Sequence, residues 1–247
     1  PQNLGNIKSL AMGPDGMLYV CAGFGGAMAN WSGERIVALD RDGKYVRTVA
    51  PFAANTTTNE ASGVGVIELE GRAAPLVKAV IPRSFYGAEA FRKDGMAVTP
   101  DGVMLRPVGG YNARGALALS ALSLKGTAPW GSDVTPALLD LSRAYFNRPF
   151  VCVASDGRSA FISGTGQVRP GQKPDNIRHS CIWRVALPAK EKMLPFFGKM
   201  EEPGGDETHL SVNPRGMALD GKGNLLIADC ASNRVVVVSE QDGKFVG

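Results

Sequence analysis

Apolar runs long enough to cross a membrane are missing from this 247-residue chain. A spanning helix needs about 20 consecutive apolar residues. Every apolar stretch here is cut by glycine, proline or charge well before that length. There is no apolar leader after Pro1, so a removed signal peptide stays compatible with the sequence, and a secreted or periplasmic setting is the expectation. Histidine is scarce, with only His179 and His209. An imidazole metal site would need a third neutral nitrogen or carboxylate beside them, so no metal and no cofactor is expected. Cysteine is sparse too: Cys21, Cys152, Cys181 and Cys230 include no C-x-x-C pair, which argues against a thiolate metal centre. A Ser-His-Asp triad finds no sequence support. The glycines at Gly23 to Gly26 lie between two strand-like runs rather than before a helix, which removes the dinucleotide reading.

What is present is repetition. The last 35 residues, Asn213 to Gly247, hold four short apolar runs: GMAL, LLIA, RVVVV and KFV. Each is too short for a helix and rich in β-branched or long aliphatic residues, so each predicts a strand. Asp220-Gly221-Lys222-Gly223-Asn224 joins the first two runs and Gln241-Asp242-Gly243-Lys244 the last two. Glycines there supply the positive φ of a tight hairpin. Weaker copies start near Leu10, Ala97 and Val151, each with its own turn glycine at Gly16, Gly102 and Gly157. A four-stranded unit repeated at intervals of tens of residues predicts an all-β propeller of antiparallel blades. Four blades are recognisable, with a fragmentary fifth, and the expectation is an incomplete propeller, part of a longer chain. Cys152 falls on a first strand and Cys181 on the third strand of the same blade. Strands two apart are roughly 9–10 Å from each other, and a disulfide needs Cα atoms within about 7 Å, so thiols are expected.

The segment NPRGMALDGKGNLLIADCASNRVVVV resembles an NHL repeat. The residues that carry the likeness are Pro214, Gly216, Ala218, Asp220, Gly223, Asn224, Ala228, Asp229, Asn233 and Arg234. It is specific over about 35 residues and degenerate elsewhere: the first copy has Ala22 and Gly23 where the aspartate and its neighbour would fall. The resemblance implies a β-propeller, commonly six-bladed. It does not imply one activity, because such propellers include lyases, lactonase-like enzymes, RNA readers and scaffolds.

Tight turns join first to second and third to fourth strands, while the other connections are long. In an up-and-down blade the long loops then share one face, where binding residues usually sit. That face would carry His209, Asn213 and Arg215 near the innermost strand of the last blade, and the loop aromatics Trp31, Tyr111 and Trp130. Asp229 and Arg234 flank the turn into a third strand and read as a structural ion pair. Residues 64–69 and 76–81 read as a hairpin, and 135–145 as a short helix. Between Arg143 and Lys199, ten Lys or Arg face three acidic residues. They are dispersed rather than clustered, which disfavours nucleic acid as a partner. The reading is one domain over 1–247, a non-catalytic binding or scaffolding propeller that recognises a protein or small-molecule ligand on its long-loop face. The alternatives are a lyase- or lactonase-type enzyme with a channel metal and, behind it, an RNA-binding propeller.

Overall fold

The computed structural model describes residues 4, 6–23, 34–50, 66–69, 72–75, 95–109, 116–124, 137–140, 144–168, 178–188, 193–199, 206–211 and 214–247. The strands come in runs of four. β1 (Asn6–Met12), β2 (Leu18–Gly23), β3 (Glu34–Leu39) and β4 (Tyr45–Ala50) form the first sheet. β5 (Val66–Leu69) and β6 (Arg72–Pro75) form a separate hairpin. β7 (Ala97–Val98), β8 (Val103–Gly109), β9 (Ala116–Ser123) and β10 (Ala137–Asp140) make a second four-stranded sheet. β11 (Ala144–Val153), β12 (Ser159–Val168), β13 (Arg178–Ala186) and β14 (Leu194–Phe197) make a third. β15 (Pro214–Leu219), β16 (Asn224–Asp229) and β17 (Arg234–Ser239) make the last. Every sheet runs in sequence order and every pair is antiparallel, which is the blade pattern of a β-propeller. No α-helix occurs among the described residues, so none there is long and apolar enough to cross a membrane.

The hairpin turns follow from local chemistry. Gly16, Gly43, Gly102, Gly157, Gly223 and Gly243 all have positive φ, between 67° and 87°. The amide of Gly13 reaches the Met17 carbonyl at 2.9 Å while that of Gly16 returns to Gly13 at 3.0 Å. Asp40 to Lys44 and Thr99 to Val103 repeat the pattern. A second bond recurs at the same edge. The residue after the third strand donates to the first turn of its own blade: Leu124 to Gly102, Leu187 to Arg158 and Glu240 to Gly223, each within 2.9 Å. The blades are thus alike in hydrogen bonding where their sequences have diverged.

The chain divides into two compact units, one of Pro1–Phe91, Met96–Leu105 and Ser120–Thr135, the other of Arg92–Gly95, Arg106–Leu119 and Pro136–Gly247. The first has a core of Tyr19, Cys21, Ile36, Ala38, Val49, Met96, Met104 and Leu122. Strand alternation puts Val20, Ala22, Val37 and Leu39 in a cluster on the opposite face of the first sheet. In the second unit Phe161 and Ile182 pack against Leu225, Ile227, Val236 and Val238. Each such side chain contributes on the order of 1.5–3 kcal/mol on burial.

Three expectations are corrected. The short helix expected over 135–145 is not found among the described residues of that range: Ala137–Asp140 and the start of β11 are strands, and Ala137 to Asp140 pair with Ala116 to Ala118 as the outer strand of their sheet. Four residues cannot nucleate a helix against the pull of an open sheet edge. The hairpin after the first blade is tighter than 64–69 with 76–81, because Leu69 pairs directly with Arg72 and Val66 with Pro75. The KFV run of the last blade is not a full strand. It holds through one bridge, Phe245 to Val238, and through the amides of Val246 and Ser239. All four cysteines are thiols, and β12 lies between the strands that carry Cys152 and Cys181. Burial pushes the Cys181 thiol up to about 12 and that of Cys152 to about 11, so neither is a ready nucleophile.

Candidate functional site

Among the described residues, polar side chains gather where β16 turns into β17 and meets residues 206–211. The sequence there turns sharply. Cys230–Ser232 form one 3₁₀ turn, and Asn233 then adopts the left-handed conformation, φ 50° and ψ 44°. Asparagine tolerates that region better than most residues. The reversal sets Asp229 and Arg234 opposite each other as the last pair of β16 and β17.

Asp229 is fully buried and meets Arg234 Nε at 3.0 Å through Oδ2. Its Oδ1 accepts the amide of Ser211 at 2.9 Å and also the Ser211 hydroxyl. A buried carboxylate needs such a full set of donors. The other end of Arg234 reaches outward: Nη2 donates to the carbonyls of Asp206 at 2.7 Å and His209 at 2.8 Å. One guanidinium therefore ties the 206–211 segment to the blade.

Inside that segment the chain folds on itself. Asp206 Oδ1 accepts the amides of Thr208 at 2.8 Å and His209 at 2.9 Å. The imidazole Nδ1 of His209 lies 2.7 Å and 2.9 Å from the two oxygens of the same carboxylate, and 2.9 Å from the Thr208 hydroxyl. A carboxylate only accepts, so Nδ1 carries a proton, and in the neutral ring the lone pair is on Nε2. The His209 side chain is 16 % exposed and that of Asp206 63 %. The His209 hydrogen bond, followed by the Thr208 amide, holds the Asp206 carboxyl well below the usual carboxylate range. His209 is therefore an oriented imidazole, held by the carboxylate of its own turn.

Beside this cluster runs an open groove of about 320 Å³. Pro195, Phe196 and Phe245 give it apolar walls, and Glu207, Thr208 and Lys244 give it polar ones. Thr208 belongs to both groove and cluster.

The remaining site residues distribute as follows. Arg215 lies on β15, half-buried, and its carbonyl accepts the Ser163 hydroxyl of β12 at 2.7 Å. Asn213, Trp31, Tyr111 and Trp130 fall outside the described residues. The structure thus brings together His209, Asp229 and Arg234. Sequence reasoning passed over Asp206, Thr208 and Ser211, whose D-E-T-H-L-S stretch carried the signal of a carboxylate three residues before a histidine. It also passed over Ser155, whose amide and hydroxyl both hold Glu240 at 2.6–2.9 Å across 85 residues of sequence. Arg106, fully buried on β8, was signalled by its place in the run Val103-Met104-Leu105-Arg106. Among the described residues no three His, Cys, Asp or Glu side chains converge as a metal site requires.

No family model matches the sequence, and no curated protein matches it. Solved structures do match in shape. A putative phosphatase from Bacteroides thetaiotaomicron aligns at a TM-score of 0.51 and 14 % identity, over 97 % of this chain and 48 % of its own. This chain therefore spans about half the length of that protein. The GH43_1 enzyme from Xanthomonas citri complexed with xylose gives 0.47 and 10 % over 98 % of this chain and 73 % of its own. The GH43 endo-arabinanase from Bacillus licheniformis gives 0.39 and 10 %, over 96 % and 75 %. Identities this low speak for the fold alone, and the last two likenesses are too loose to carry an argument. With its sheets running in sequence order, the chain is all-β and of β-propeller type.

Proposed function

We propose that this chain is an NHL-like propeller that works as an enzyme of hydrolytic or lyase type, with His209 as its general base. The observation that carries this reading is the Asp206 carboxylate on His209 Nδ1. A carboxylate there fixes the tautomer, leaves Nε2 basic and stabilises the imidazolium that forms when a proton is taken up. That proton would come from a water or hydroxyl attacking an ester-type centre. The solved structures of similar fold include a putative phosphatase, which is compatible with ester hydrolysis. The metal-dependent version of the enzyme reading finds no ligand set among the described residues. The test is turnover of chromogenic phosphate, carboxylate and glycoside esters by the full chain. His209→Gln should lower kcat/KM by about 10²–10⁴-fold, the usual contribution of a positioned base, with the melting temperature little changed. No turnover of any class, or turnover that His209→Gln leaves intact, would sink the reading.

A second reading, non-catalytic binding of a protein or small ligand on the long-loop face, draws on the groove beside Thr208. Its volume falls at the lower end of small-ligand sites, and its mixed walls suit an amphipathic ligand. It predicts that Phe245→Ala weakens ligand capture while His209→Gln does not.

A further inference from the structure

We infer that Arg234 is a positioning residue that sets the orientation of the His209 imidazole; the inference rests on the reading of His209 as a base, and deepens it. The argument is one of geometry. The carboxylate–imidazole contact spans three residues, from Asp206 to His209, and exists only while the two ends of that turn keep their spacing. Local amide bonds from Thr208 and His209 shape the turn, but both ends are also fastened from outside. The fastening group is a single nitrogen, Arg234 Nη2, which donates to the carbonyl of each end at 2.7 Å and 2.8 Å. It acts as a fixed spacer between the two residues whose side chains meet.

The spacer is itself aimed. Arg234 Nε is held by Asp229, which has no exposed surface. Asp229 also takes the Ser211 amide, two residues beyond His209. The guanidinium is planar, so fixing Nε toward Asp229 fixes the direction of Nη2. The chain of control therefore runs from the buried Asp229 through Arg234 to the 206–209 turn and then to Nδ1. Lysine at 234 would keep the charge but could not meet Asp229 through one nitrogen and the two carbonyls through another. If Arg234 were only a brace, its loss would lower stability and leave the imidazole as it is.

Two-bond ¹H–¹⁵N spectra of the full chain decide between these, because they report which ring nitrogen is protonated. A His179→Asn background leaves His209 as the one imidazole. Neutral His209 should be protonated on Nδ1, and Asp206→Asn should abolish that preference. Arg234→Lys should lower the Nδ1–H to Nε2–H ratio about tenfold. Glu240→Gln, which takes the charge and one acceptor from the Ser155 contacts of the same unit, should lower the melting temperature and leave the ratio unchanged. Should Arg234→Lys not fold, Asp229→Asn serves with the same expected shift. A wild-type ratio in Arg234→Lys, or an equal shift in Glu240→Gln, would overturn the inference. The spectra need no substrate. If the ratio shifts as expected while ester turnover is absent or indifferent to His209→Gln, the positioning role stands and the catalytic reading falls.

Discussion

At the scale of single residues, the chain places its costliest groups where three or more bonds meet them. Asp229 is the clearest case. Asparagine there would leave Arg234 without its counter-charge and set an NH2 against either Arg234 Nε or the Ser211 amide, and breaking a buried pair from one side costs about 3 kcal/mol or more. Asp229→Asn should therefore shift the urea midpoint of the second unit strongly, whereas Asp242→Asn at an exposed turn should barely move it. Asp206 has a depressed folded pKa. Its stabilisation is present above the ordinary carboxylate value and is lost as pH falls through the folded one. Stability should accordingly decline on the acid side below about pH 4, and Asp206→Asn should flatten that decline. Tyr19 has the opposite sign. Burial, and then its bond to Asp15, push its phenol up to about 12 from the ordinary 10.0, with the Asp15 contact at 2.7 Å. Its stabilisation is whole below pH 10 and is lost between about 10 and 12. Absorbance titration should show one late phenolate that is missing from Tyr19→Phe.

At the scale of elements, the turns decide what a side chain costs. Gly43 has φ 75° with open space where a Cβ would stand, while Gly198 has φ 84° with the Ser180 carbonyl 2.7 Å from that point. Gly43→Ala should cost about 1 kcal/mol, the left-handed penalty alone, and Gly43→Asn less. Gly198→Ala should cost clearly more, because backbone must move as well; equal melting temperatures for the two alanine variants would contradict this. The same locality explains what was legible. A glycine preceded by Asp and lying between two apolar runs sets its own hairpin, so the strands around Gly16, Gly43, Gly102, Gly157 and Gly221 could be read from sequence. Ala137–Asp140 could not, because nothing in four residues says whether they pair with β9 or coil alone. The Arg72 end of the small hairpin was missed for a similar reason: a two-residue turn and a longer loop leave the same apolar spacing.

At the scale of the whole molecule, what holds distant pieces together is what sequence spacing does not record. Arg234 reaches Asp206 across 28 residues and Ser155 reaches Glu240 across 85. The Asp229–Arg234 pair was visible because five residues separate the two, and a turn of that length closes on itself. The task of that pair, fastening the segment that carries His209, was not visible, because the segment lies upstream of the blade that holds it.

In the proposed enzyme Asp206 and His209 act as one unit in catalysis. A double-mutant cycle on kcat/KM for the best chromogenic ester tests it most directly. Groups that act as a unit are strongly non-additive. Asp206→Asn should slow the reaction, His209→Gln should slow it further, and the double variant should be no slower than His209→Gln alone. Losses that multiply independently, or a wild-type rate in either single variant, would contradict it.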